Sequence, residues 1–225
     1  MRASAATTSA TAAGPIASGS PPVRSIRGAG RLGAALQAAR IWKYQALSDC
    51  PRIVGRPMLH QPVLFLGPGA IVIADHVEFG WPRSALFHTG YCHVEASTPG
   101  ALIEIGAHAQ INNNAFIKSE GPGIRIGARA LLGCFVEILD SDFHDLRAER
   151  RRSGTPRMAA VELGEDVFIG DGVKILKGAS IGAHSVIGAG SVVTGSIPPE
   201  ALAAGTPARV IGALQEVTAR RVQSP

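Results

Sequence analysis

The sequence predicts an all-β fold in which short strands wind into a coil, preceded by a helical and disordered extension. Three observations carry this. From Val161 onward, "VELGEDVFIGDGVKILKGASIGAHSVIGAGSVV" returns an aliphatic residue at every sixth position: Leu163, Ile169, Ile175, Ile181, Ile187 and Val193. Two residues before each stands a Val, Ala or Ser, at Val161, Val167, Val173, Ala179, Ser185 and Ser191. The composition agrees, being 46% hydrophobic but only 5% aromatic with 27 glycines, so the core must be built from small and branched side chains between frequent turns.

A helix of 3.6-residue period cannot keep residues six apart on one face over such a length, and an alternating strand gives no reason for the small residue and Gly to recur. A coil with three short strands per turn does. Each hexad forms one flat side, roughly 18 residues complete a turn, and the aliphatic residues stack in an internal column. Each contributes roughly 1.5 to 3 kcal/mol when buried, so the column can hold sheets that have no helix packed on them.

Taken in order, residues 1–28 are Ser-, Ala- and Pro-rich and read as a disordered tail; their Arg-containing, acid-free character also suits an organelle transit peptide, and they make a poor signal peptide. Residues 29–50 read as a helical segment, because "RLGAALQAARIWKYQALS" is rich in helix formers and lacks Pro, although its apolar positions are only loosely periodic. Residues 51–212 form the coiled domain. Weaker hexads precede the strong ones there, with Ile105, Ile111 and Ile117, then Ile126, Leu132 and Ile138; Ile73 and Phe79 keep the spacing for one more step. Residues 213–225 are a C-terminal tail.

Charge and cysteines exclude several classes. The net charge of +5 comes from residues 1 to 48, which hold six basic and no acidic residues, leaving the body near neutral and without a basic, aromatic-interleaved patch for nucleic acid. Cys50, Cys92 and Cys134 are too few for a disulfide framework, so reduced thiols in a cytoplasmic setting are expected. No run approaches transmembrane length, so no integral membrane association is expected.

The repeat breaks once conspicuously. Ile138 and Leu163 are 25 residues apart, one more than four hexads, and between them lies "DSDFHDLRAERRR", Asp140 to Arg152. A loop over 139–160 therefore leaves the coil. A regular prism has flat sides and nowhere to hold a substrate, so chemistry on such a scaffold comes from excursions and from crevices between neighbouring chains.

On these residues, the chain resembles the hexapeptide-repeat, left-handed parallel β-helix family of acyltransferases over about residues 60 to 212. The ending "GAGSVVTGSIPPEALAAGTPARVIG" is similar to the family's last coil, with Gly195 and Ser196 where a Lys and an Asp are usual, and "DSDFH" looks most like the sugar O-acetyltransferase branch. The resemblance implies a left-handed parallel β-helix, acetyl-CoA as co-substrate, no metal, a sugar or glycan acceptor, and a homotrimer with active sites between chains. An antibiotic or other small hydroxyl compound is an alternative acceptor.

His144 is then the expected general base, since an alcohol is hardly ionised at neutral pH and imidazole titrates closest to that range. Asp142, or Asp140, would bond its other ring nitrogen and fix the tautomer. A solvated loop histidine is the plainer alternative. In "INNNAF", three Asn stand where the column wants small or aliphatic residues, so they cannot all point inward; Asn112 and Asn114 match the family's acceptor-side amides, and an Asn turn is the alternative. Glu120 stands near the place of a family Asp, and Arg147 belongs to an Arg cluster able to grip an anionic group. For the acyl donor, Phe168, Gly170, Ala189, Thr194 and Arg209 match positions along the coenzyme A groove, and Lys174 or Lys177 would replace the Lys missing at Gly195.

Two rival classes use the same scaffold. A γ-type carbonic anhydrase would need three His around zinc, and His88 and His93 with His60, His76 or His108 offer a set, though without clean hexads around them. A non-catalytic assembly module explains the repeat but gives "DSDFH" no role.

Overall fold

Each turn of the coil lays one short strand on each of three faces. In the computed structural model, which describes residues 29–216, the first face has seven strands from Arg52–Val54 to Ser196–Ile197. The second has eight, from Met58–Leu59 to Ala208–Ala213, and the third has six, from Val63–Leu66 to Val192–Val193. Successive strands fall on successive faces, and pairing between turns is parallel; only the closing hairpin, Ala201–Gly205 with Ala208–Ala213, is antiparallel among the named strands. The fold is the left-handed parallel β-helix, with an N-terminal helix at Ala29–Leu47. The tail expected over 1–28, and residues 217–225 of the C-terminal one, lie outside the described residues.

The register stacks like on like. Ile105, Ile126, Leu163, Ile181 and Ile197 align in one inward row. All six strong column residues are buried, and so are the six small residues two positions before them. Small and large side chains thus alternate into a core too narrow for aromatics, with Phe65 and Phe79 confined to the first turns.

The corners explain the rest of the hexad. Three residues after most of the column aliphatics, the backbone turns through the left-handed region, at His108 (φ 61°), Asn114 (62°), Arg129 (57°) and Asp166 (53°) among others. Directly after the aliphatic residue the turns crowd together. A Cβ at Gly170 would stand 2.6 Å from the backbone nitrogen of Ala189, so only glycine lets these turns stack.

The three prism edges have different characters. Where the first face meets the second, His76 stacks on His108 at 4.8 Å and Arg129 is held by Asp166 and Glu165, a solvated ladder. Where the second meets the third, residues 80–91 bulge out between Glu78–Phe79 and Cys92–Ala96. Where the third meets the first, residues 140–160 leave after Glu137–Leu139 and return at Val161–Leu163.

The helix joins the prism through polar groups, which accounts for its poor apolar period. Gln37, its one buried described residue, donates to the carbonyls of His60 (2.8 Å) and Phe87 (3.3 Å), while Arg40 donates to those of Phe87 (3.1 Å) and Gly90 (2.5 Å). Leu32, Leu36 and Trp42 stay exposed. No helix among the described residues is long and apolar enough to cross a membrane.

Candidate active site

The 140–160 loop is anchored by a carboxylate at its root. Asp140 is fully buried and accepts four hydrogen bonds, from the Ser119 hydroxyl (2.6 Å) and the backbone amides of Glu120 (2.8 Å), Gly121 (3.2 Å) and Gly123 (3.0 Å). Ser141 next to it donates to Glu120 (2.7 Å) and accepts from the Phe143 amide (2.9 Å). Further out, Asp145 accepts from the backbone and guanidinium of Arg147, with Arg150 at 3.6 Å. The Arg147 hydrogen bonds hold its carboxyl down to about 2. Buried carboxylates with donors on every side make this loop a fixed structure.

His144 is exposed on that frame, with Nδ1 3.2 Å from the carbonyl oxygen of Arg151. A carbonyl only accepts, so the neutral ring bonded this way carries its proton on Nδ1 and presents the Nε2 lone pair outward. This corrects the expected orienting role of Asp142 or Asp140. Asp142 pairs with Lys177, Asp140 is consumed at the loop root, and the group facing Nδ1 is the Arg151 carbonyl rather than a carboxylate. The second Asp142 oxygen, Oδ2, is buried without a hydrogen-bond partner.

The three Asn occupy the second–third edge and all turn toward the 80–91 bulge. Asn113 points inward and is fully buried; its side chain accepts from the Trp81 amide (2.8 Å) and donates to the carbonyls of Trp81 (3.1 Å) and Ala85 (3.0 Å). Asn112 donates to the Ser84 hydroxyl (3.0 Å), and Asn114 to Ala85 (3.3 Å). Expected as acceptor-side amides, Asn112 and Asn114 therefore already spend hydrogen bonds on holding a loop, and the buried partner of that work is Asn113. Glu120 is engaged by Ser141, and Arg147 by Asp145.

The donor-side candidates divide between edges. Gly170 and Ala189 stack at the second–third edge, with Phe168 outward and 45% exposed on the neighbouring strand, paired with Val186. Thr194 is exposed at the third–first edge, beside the turn that carries Lys177. Arg209 is exposed on the closing hairpin opposite Ala204. Lys174 and Lys177, expected to replace the absent Lys, are paired with Glu137 and Asp142.

The three Cys are buried free thiols; burial pushes that of Cys92 up to about 12. His93 bonds Glu95 (2.8 Å), His60 bonds Glu78 (3.1 Å), and His88 packs edge-on to Phe87. No three His, Cys, Asp or Glu side chains among the described residues gather as a metal site.

The 80–91 bulge carries only His88 among the residues expected to bear chemistry. It closes a pocket of about 320 Å³ between Trp81, Ser84, Glu78, Gln110 and Asn112, floored by Leu131 and Leu132. The available signal was spacing: Phe79 and Val94 are buried neighbours in the column, and nine residues too many separate them for one hexad.

A hexad-built prism with loops projecting from two of its three edges is a left-handed parallel β-helix with room for a site at those edges. Residues 160–195 match the family described as bacterial transferase hexapeptide (six repeats). A putative acetyltransferase of Saccharomyces cerevisiae is 38% identical over 117 residues, 52% of this chain and 59% of its own length. Galactoside O-acetyltransferase of Escherichia coli is 39% identical over 112 residues, 50% of this chain and 54% of its own. The chain thus spans little more than half the length of these curated relatives. Among solved structures, a polysialic acid O-acetyltransferase superposes with a TM-score of 0.51 at 22% identity, covering 71% of this chain and 82% of that one, a likeness of fold. The chain is therefore similar to hexapeptide-repeat acetyltransferases over about half of its length, with the repeat itself matched at residues 160–195.

Proposed function

We propose that the chain is an acetyl-CoA-dependent O-acetyltransferase that acylates a hydroxyl of a sugar or glycan, working in the cytoplasm as a homotrimer with active sites between chains. The observation that carries this reading is the His144 ring, exposed on an anchored loop with Nδ1 turned to a carbonyl and Nε2 outward. That is the arrangement a general base requires.

In this reading the acceptor hydroxyl lies against Nε2. Its oxygen attacks the thioester carbonyl as the ring takes its proton; the carbon–sulfur bond then breaks, and the proton passes to the departing thiolate. No acyl-enzyme forms, and buried Cys134 takes no part. Phe168, Gly170, Ala189, Thr194 and Arg209 line the donor groove, and Asn112 and Asn114 lie on the acceptor side. The loop and the Asn cluster stand on different prism edges of one chain, so a neighbouring chain supplies the other half of each site. The galactoside O-acetyltransferase relative supports the sugar acceptor.

The test is calorimetric titration with acetyl-CoA, followed by thiol release in the presence of methyl β-D-galactoside or maltose. Saturable binding near one site per chain and acceptor-dependent thiol release are expected. A folded protein that binds no acetyl-CoA overturns the reading.

A further inference from the structure

Trp81 is a large aromatic side chain left 52% exposed on a loop whose backbone is held with unusual care. Its amide and its carbonyl are both bonded by Asn113, a residue with no exposed surface that spends its whole side chain on this loop. Behind the loop, Gln61 is likewise fully buried and donates to the Leu86 carbonyl (3.1 Å), while Gln37 and Arg40 of the helix fix Phe87 and Gly90. Buried amides are costly unless satisfied, and here their bonds fix one exposed loop from two sides. A solvated loop needs no such frame.

The indole borders the 320 Å³ pocket, whose largely apolar lining also carries the polar side chains of Glu78, Ser84, Gln110 and Asn112. Gln110 is exposed and its side-chain amide takes no protein partner among the described residues; Ser84 accepts from Asn112 and keeps its own proton to donate; Glu78 adds a carboxylate, bonded to His60. Leu131 and Leu132 make the floor apolar. A flat aromatic face beside an amide, a hydroxyl and a carboxylate suits a pyranose ring: its C–H face lies on the indole and its hydroxyls reach the rim. The carboxylate disfavours an acidic sugar, since like charges at close range repel.

We infer that the Trp81 pocket is a subsite for a neutral pyranose of the acceptor, with Trp81 as its stacking platform and Gln110 as a hydroxyl-binding amide. The inference rests on the sugar-acylating reading of the chain, and it deepens that reading by naming where the glycan sits.

The test uses the Trp42→Phe protein, in which Trp81 is the sole tryptophan, and reads its emission during titration with methyl β-D-galactoside, maltotriose and methyl β-D-glucuronide, without acetyl-CoA. The expected result is a saturable change with a neutral sugar, weaker with the glucuronide. Because Trp81→Ala removes the probe, that variant is compared with the wild type by calorimetry, where binding should weaken roughly tenfold or more; Gln110→Ala should weaken it similarly. No response to any of the three sugars, equal binding of the glucuronide, or unchanged affinity in both variants overturns the subsite. The acyltransferase reading fails separately: sugar binding that depends on Trp81 in a protein that neither binds acetyl-CoA nor releases thiol leaves the subsite standing without it.

Discussion

The Nδ1 nitrogen of His144 stands 3.2 Å from the carbonyl oxygen of Arg151, and the nearby Asp142 carboxylate turns away to Lys177. If the backbone sets the tautomer, the two residues part company on mutation. His144→Ala should lower turnover by roughly two to four orders of magnitude with acetyl-CoA affinity nearly unchanged. Asp142→Asn keeps the shape but weakens the Lys177 contact, and should cost less than about tenfold; a triad carboxylate changed in the same way costs about 10⁴-fold. Steady-state rates of the two variants decide between the orienters.

Asp145 ties the same loop to Arg147, and its carboxyl is held down to about 2. A depressed folded-state value means that the contribution is complete above the unfolded value, roughly 4, and is lost as pH falls through the folded one. Loop order should therefore persist to about pH 4 and fail toward pH 2, while the hexad core has no comparable dependence on this group. Hydrogen exchange at residues 141–154 across that range reads it, and Asp145→Asn should remove the step. Protection unchanged at pH 2 would show that Arg147 and Arg150 do not order the loop through Asp145.

What the sequence made legible follows from which interactions are periodic. The column from Leu163 to Val193 was readable because each inward position repeats in register with the turn above, and the loop before it because Ile138 to Leu163 does not fit the count. Expectations failed where a partner lies far away in sequence. Asp140 sits two residues from Asp142, yet its donors are at Ser119 to Gly123, one turn below, and no local pattern announces them. The Asn cluster was visible as polar residues at core spacing, but its meaning depended on Trp81 and Ala85, some thirty residues earlier, in a bulge whose composition looks only irregular.

Asn113 offers a direct measure of that long-range bond set. Replacing it with Ala strands the Trp81 amide and removes one of two donors from each of the Trp81 and Ala85 carbonyls, which keep the Ser84 amide and Asn114, at a cost of about 1 to 3 kcal/mol. Asn113→Asp should be worse, because a carboxylate keeps the acceptor for Trp81 but faces two carbonyls with no hydrogen to give. A lowered denaturation midpoint in the order wild type, Ala, Asp is expected, with Trp81 emission shifted toward that of free indole in both variants. An Asp variant as stable as the wild type would mean that the bulge is held by other contacts.

The position of the two projecting loops makes the strongest demand on assembly. The 140–160 loop leaves the third–first edge and the Trp81–Asn112 cluster lies on the second–third edge, so the width of the third face separates them in one chain. A site that uses both must draw them from two chains. His144→Ala removes the base, and Asn112→Trp fills the pocket beside Ser84, so each homo-oligomer alone should be inactive. Refolding the two together at equal ratio in a cyclic assembly creates some sites whose loop comes from the Asn112→Trp chain and whose pocket comes from the His144→Ala chain; random mixing gives these at about a quarter of all sites. Recovery of about a quarter of wild-type turnover is the expected outcome. A mixture as inactive as its parents would place the whole reaction on one chain, and the base would then have to be sought among groups facing the pocket from its own edge.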